Sequence, residues 1–254
     1  MKNSLYLPAY EQIFLDENEE LLPAMVAPGV PPLLVQAVCN NFRRAGIASL
    51  LQTGRSRVFR LRLQRSGRAF AHFLAQADPS DKLTSQSRPL LDSLGAGDFD
   101  TAVELAQTSR HDWSADAEYE EEFLFYEFLM QSQLLGMPKD QSGALLDRWE
   151  VCLEGTEDLR LPVCRALHEE DDVAFNAALT VFLKERAKEY LRERSRHDPE
   201  VMATEASIAI EGVAFARLAR RRGLPGHDEY PQVPSVALDN EALAWRKDSF
   251  RDLS

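Results

Sequence analysis

Arg57-Val-Phe-Arg-Leu-Arg-Leu-Gln-Arg-Ser-Gly-Arg-Ala-Phe-Ala-His-Phe-Leu74 is the stretch on which the fold class turns. Its first seven residues alternate charged and apolar side chains, the period of a half-buried strand. The longer pattern overrules that reading. Phe59, Leu63, Ser66, Gly67, Phe70 and Leu74 fall on one face of a helix, with Arg57, Arg60, Arg65 and Arg68 on the other side. Ser66 and Gly67 on the apolar face leave room for a second helix to approach closely.

Outward from this segment, the punctuation is that of helices. Leu90, Leu91 and Leu94 precede Gly95 and Gly97, and Asp98 is placed to cap a helix carrying Ala102, Val103 and Ala106. Tyr119, Phe123, Tyr126, Met130 and Leu134 recur every three or four residues until Gly136 and Pro138. Phe125, Phe128 and Leu129 make that helix apolar on further faces, so it is expected at the centre of the core. Leu145, Trp149 and Cys152 mark a shorter helix ending at Gly155, and Pro162 opens another that stops near Glu170. Asp171 caps a long helix through Phe175, Leu179, Phe182 and Tyr190. Asp198-Pro199-Glu200 starts a last long helix through Met202, Ala206, Ile210 and Val213 to Gly223.

Leu91-x-x-Leu94 with Asp98, set beside Cys164-x-x-Leu167 with Asp171, forms a loose internal repeat. Each copy leads on to a Gly-x-Pro stop, Gly136-Met-Pro138 and Gly223-Leu-Pro225. The expectation is an all-α single domain, residues 1–254, of nine to ten helices arranged as stacked hairpins. Residues 1–30 read as an irregular lead, and residues 226–254 as an extension around a short terminal helix.

Composition sets the classes of function. A net charge of −12 disfavours nucleic acid and anionic membranes as partners and favours a basic one. No apolar run reaches the 18 residues that a membrane span requires, and no signal peptide is visible, so a cytoplasmic site is expected. Cys39, Cys152 and Cys164 lie too far apart for a zinc site and read as buried thiols. Residues 21–77 hold eight arginines and no Asp, Glu or Lys, while the rest of the chain carries 21 basic and 41 acidic residues. Without Lys or interleaved exposed aromatics, that stretch reads as covered from within or solvated rather than as a nucleic-acid surface.

Catalytic motifs are missing from the sequence. There is no Glu-x-x-His pair for a di-metal site, no His-Glu-x-x-His, no Gly-x-Ser-x-Gly elbow and no phosphate loop. His168 and His197 read as surface or capping residues, and no cofactor is called for. Two carboxylate clusters offer the candidate partner-binding residues: Asp116, Glu118, Glu121 and Glu122, and then Glu169, Glu170, Asp171 and Asp172. Both straddle helix starts, where exposed N–H groups favour negative charge, so capping competes with recognition as their role.

Three stretches together resemble the immunity protein 49 family, cytoplasmic antidotes of bacterial polymorphic-toxin systems. They are Arg57 to Ala77, Leu90-Leu-Asp-Ser-Leu-Gly-Ala-Gly-Asp-Phe-Asp-Thr-Ala102, and Arg221-Arg-Gly-Leu-Pro225 continuing to Tyr230-Pro-Gln-Val-Pro234. The likeness covers most of residues 45–238 and lies in helix order and punctuation. Membership implies an all-α protein that binds and blocks one cognate toxin without cofactor or turnover. It carries over no binding residues, and a helical-repeat adaptor or regulator is the alternative expectation.

Overall fold

The arginine-rich stretch is a helix. In the computed structural model, which describes residues 6–244 and 246–253, Ser56–Gln76 is one of eleven α-helices, and the described residues contain no strand. In chain order they are α1 Leu7–Met25, α2 Pro32–Thr53, α3 Ser56–Gln76, α4 Arg88–Ala96, α5 Phe99–Thr108 and α6 Glu120–Phe128. They continue with α7 Lys139–Cys152, α8 Arg160–Glu169, α9 Asp172–Arg192, α10 Pro199–Ala203 and α11 Ile210–Arg221. Helix α2 packs along both α1 and α3, α4 lies against α3 and α11, and α8 pairs with α9. One apolar cluster runs through the molecule from Met25 to Phe250, making a single domain.

The small residues on α3 act as their positions imply. A Cβ at Gly67 would collide with Ser93 Oγ of α4 and stand 3.2 Å from Ser93 Cβ, so only glycine lets the two helices meet here. Helix α6 is the core spine: Phe123, Leu124, Phe125, Tyr126, Glu127 and Phe128 are all buried. The internal repeat is visible at its turns. Asp98 and Asp171 each accept the backbone N–H three residues on, from Thr101 at 3.1 Å and Ala174 at 2.9 Å. Each also donates its own N–H to the carbonyl five residues back, Ser93 and Ala166. The left-handed residue before the cap is Gly97 in the first copy and Glu170 in the second.

Four expectations need correction. The lead is not irregular, because α1 occupies most of it. Pro8 sits in its first turn, where no intrahelical N–H is needed, and Pro23 falls near its end. Leu7, Phe14, Asn18 and Met25 form its buried face, and the Asn18 amide donates to Val38 O at 3.2 Å. Residues 1–5 of that lead lie outside the described residues. The helix from Pro199 does not run to Gly223 but stops at Ala203 and restarts at Ile210. Between them the Glu205 carboxylate pairs with Arg44 and Arg88, at 2.8 Å each, which anchors the irregular turn. The central helix turns into a π-helix over Leu129–Leu134, where Leu135 N–H bonds Met130 O. Lastly, no terminal helix forms among the described residues of the C-terminal extension, which makes single 3₁₀ turns at Ser235–Leu238 and Ser249–Arg251.

That extension explains the arginines. Arg60 donates to Ala96 O at 2.8 Å and Glu241 O at 2.6 Å, and Arg62 to Leu253 O at 2.7 Å. Arg68 pairs with Glu104 at 2.6 Å and Arg65 with Asp252 at 3.9 Å. From α11, Arg217 reaches the carbonyls of Ala237 and Asp239 at 3.1 and 2.8 Å. Burial, with Arg65 beside it, pulls Arg62 down to about 10, so it is still charged at neutral pH. In α2, Arg43 makes a two-pronged pair with Asp92 at 2.6 and 2.7 Å, fully shut off from solvent. Most of the cationic stretch is thus covered from within, by carbonyls and carboxylates, while Arg55 and Arg57 stay exposed.

Candidate partner-binding groove

Sequence order brings the two acidic clusters to opposite ends of one helix. Glu122 at the start of α6 receives Arg160, the first residue of α8, at 2.7 and 3.1 Å. Glu169 ends α8, nine residues later and roughly 13 Å along the axis by the helical rise. The clusters therefore do not merge into one patch.

Within the second cluster, Asp171 is the N-cap of α9. Glu170, in the left-handed conformation, takes Arg222 at 2.5 Å. That hydrogen bond and the Arg222 charge hold its carboxyl below the usual carboxylate range. Glu169 is exposed and Asp172 half-buried in the first turn of α9. In the first cluster Asp116 is exposed. Glu118 points inward instead: it is 8% exposed, and its two oxygens accept the backbone N–H groups of Ser85 at 2.9 Å and Ser114 at 3.2 Å. Glu118 is therefore a structural clasp, and its reading as a partner-facing residue is corrected.

Glu121 and Glu122 belong to something larger. They stand on one wall of an open groove of about 690 Å³, completed by the α7–α8 connection, the second half of α9 and the start of α11. Seven carboxylates line it: Glu121, Glu122, Glu157, Asp158, Glu185, Glu189 and Glu211. Four cations line it too, and three of them are committed. Arg160 is held between Glu122 and Asp158, 2.7 Å from each, with its guanidinium 4.5 Å from the Phe125 ring. Burial works against its charge, but the hydrogen bonds that it donates to Asp158 and Glu122, with their charges, outweigh it and raise its pKa. Arg186 donates to Gln232 and to Glu205 O, 2.9 Å each, and covers Tyr190 at 4.7 Å. Lys188 bonds Glu185 at 2.6 Å.

What is left over decides the groove's character. Glu121, Glu157, Glu189 and Glu211 make no ion pair among the described residues, against one uncommitted cation, Arg192. Phe182, Leu153 and Leu159 add apolar surface. Such a concavity attracts an extended or helical segment bearing Lys or Arg, with side-chain stems on the apolar surface and charged heads at the carboxylates.

Nothing in the groove arranges a nucleophile beside a base, and the thiols are held as neutral SH. Burial pushes Cys39 up to about 12 and Cys164 well above its ordinary value. No group of three or more His, Cys, Asp or Glu side chains among the described residues converges on a point where a metal ion could sit. No helix among them is long and apolar enough to cross a membrane. Comparison with known proteins returns no matching family model, curated protein or solved structure.

Proposed function

We propose that this chain is a binding protein of the immunity type, which neutralises a cognate toxin by seating a basic segment of it in the α6–α9 groove. The observation that carries the reading is the groove's four unpaired carboxylates in a chain of net charge −12. Unspent negative charge on a concave wall speeds encounter with a basic surface and rejects acidic competitors. A toxin that acts on a polyanion needs a cationic cleft, and a Lys- or Arg-bearing loop at its mouth is complementary to this wall. Once seated, the helices around the groove cover the cleft and keep substrate out. No turnover and no cofactor enter this mechanism.

The test is co-expression of the chain with the product of the adjacent gene. The reading expects the two to purify together and the partner's toxicity to be lost. Separate elution of both proteins, with toxicity intact, would overturn it. Co-purification with no effect on toxicity would move the assignment to the helical adaptor.

A further inference from the structure

A second cavity, of about 200 Å³, lies beyond the far end of α8, where the Leu129–Leu134 π-helix and the starts and ends of α7, α8 and α11 meet. Its charge is opposite to that of the groove. Lys139, His168 and Arg222 line it together with Ser132 and Ser142, against a single carboxylate, Glu170. That carboxylate is already spent on Arg222 Nη2 at 2.5 Å, and Arg222 Nη1 donates to Gln133 at 3.3 Å. The guanidinium is thereby fixed in place, while the Lys139 ammonium makes no ion pair among the described residues.

His168 is oriented from behind. Its Nδ1 lies 3.1 Å from the hydroxyl of Ser142, a residue only 2% exposed, and that hydroxyl is also 3.1 Å from Lys139 O. A hydroxyl has one proton to give. If Ser142 donates it to the carbonyl, Nδ1–H of His168 donates to Ser142, and a proton arriving at Nε2 makes a second N–H donor. The charged groups around the ring are Lys139 on α7, Arg165 and Glu169 on α8, Glu170 after it, and Arg222 after α11. Burial first, then Lys139, hold the imidazole below its ordinary value, with Arg165 and Arg222 adding to Lys139 and Glu169 opposing. Three cations, Lys139, Arg165 and Arg222, stand around the ring against two carboxylates, Glu169 and Glu170, so the surplus charge there is positive, the condition that an anion relieves.

We propose that this cavity binds a small oxyanion of the phosphate type, gripped by the Lys139 ammonium, His168 Nε2–H and the Ser132 hydroxyl, with the anchored Arg222 supplying further positive charge. Drug-sized ligands occupy pockets of about 300–1,000 Å³, so this volume selects a compact group. The site stands apart from the groove and does not rest on the toxin-binding reading. Binding of phosphate is coupled to uptake of a proton at His168 Nε2, so the pKa of the ring rises when the site is filled.

Gly143 supplies a clean variant. A Cβ there would stand 3.4 Å from His168 Nε2, shading the donor without a clash. Gly143→Ala also replaces a glycine inside α7 with a better helix former, so the fold is kept.

The experiment follows the His168 ring signals by NMR in the full chain during titration with inorganic phosphate, with sodium chloride matched for ionic strength as control. The expected result is a saturable shift of His168 absent with chloride, a rise in its pKa on binding, and at least tenfold weaker binding in both Lys139→Ala and Gly143→Ala. A nucleoside monophosphate forms the second arm. Equal affinity assigns the site to the free ion and tighter binding to a phosphate group on a larger ligand, and either result supports the proposal. No saturable shift with either probe, the same shift with chloride, or unchanged binding in both variants would overturn it.

Discussion

Helix α3 and the α6–α9 groove are both densely charged, and they use charge in opposite ways. Arg60, Arg62, Arg65 and Arg68 are buried, and their donors meet the carbonyls of Ala96, Glu241 and Leu253 and the carboxylates of Glu104 and Asp252. The groove holds seven carboxylates and leaves four without an ion pair among the described residues. A run of charge thus speaks for the fold when the chain provides its own counter-groups, and for a partner when it does not. Counting charges along the sequence cannot separate the two cases. Counting partners can.

The largest effect expected on the folding side of this contrast comes from Arg43→Ala. It strands Asp92, which is wholly buried and accepts from both Arg43 and Ser66. Removing one partner of such a pair costs about 3–5 kcal/mol, read as a drop in urea midpoint at unchanged slope. A loss under about 1 kcal/mol would show that the interior arginines do not hold the fold.

Glu205→Gln sharpens the same point through pH. Burial opposes ionisation of Glu205, but Arg88, Arg43 and Arg44 outweigh it and hold the carboxyl well below its ordinary 4.5. Because the folded pKa is depressed, its stabilisation is full above about 4.5 and is lost as pH falls through the folded value. At neutral pH the substitution should cost about 3 kcal/mol, as the loss of one charge from a buried ionic cluster does. Denaturation curves for wild type and variant should converge on acidification below 4.5. A gap that stayed constant with pH would remove the ionic account of the break between α10 and α11.

A smaller effect is expected at His111, whose Nδ1 meets Glu127 at 2.7 Å and whose Nε2 meets Ala106 O at 2.8 Å. Both partners are acceptors, so the doubly protonated ring satisfies both. The Glu127 hydrogen bond is the main cause of its raised pKa. The stabilisation is full below about 6.5 and is lost as pH rises through the folded value. His111→Gln should flatten that alkaline loss, amounting to about 1 kcal/mol. Parallel pH profiles for both proteins would contradict this.

The sequence was legible wherever the deciding interaction is local. The helical face of α3 outvoted its alternating start, and the Asp98 and Asp171 caps answer to residues three positions on. Two features turn on distant partners instead, and two lack a clear periodic signal. Helix α1 was hidden by its two prolines, Pro8 in the tolerated first turn and Pro23 inside the last turn, and the break after Ala203 is held by Arg44 and Arg88, more than a hundred residues away. The C-terminal extension takes its course from arginines on α3, and the π-helix obeys no periodic signal. The groove was half legible: Glu121 and Glu122 stood out, while Glu157, Glu185, Glu189 and Glu211 come from three other segments. One clue was present, since Glu185 and Glu189 repel each other at four residues' spacing on α9, a local cost that the Lys188–Glu185 pair offsets for only one of them.

The contrast between spent and unspent charge is tested most directly by Glu121→Lys with Glu157→Lys and Glu189→Lys, titrated against the product of the adjacent gene at low and at physiological ionic strength. The three side chains make no ion pairs, so stability should stay within about 0.5 kcal/mol of wild type per site. Affinity should fall at least tenfold at low salt, mainly through slower association, and the gap should narrow as salt screens the wild-type encounter over about 8–10 Å. Equal affinities with equal salt slopes, in variants that fold as wild type does, would contradict the account and take the groove out of the binding surface.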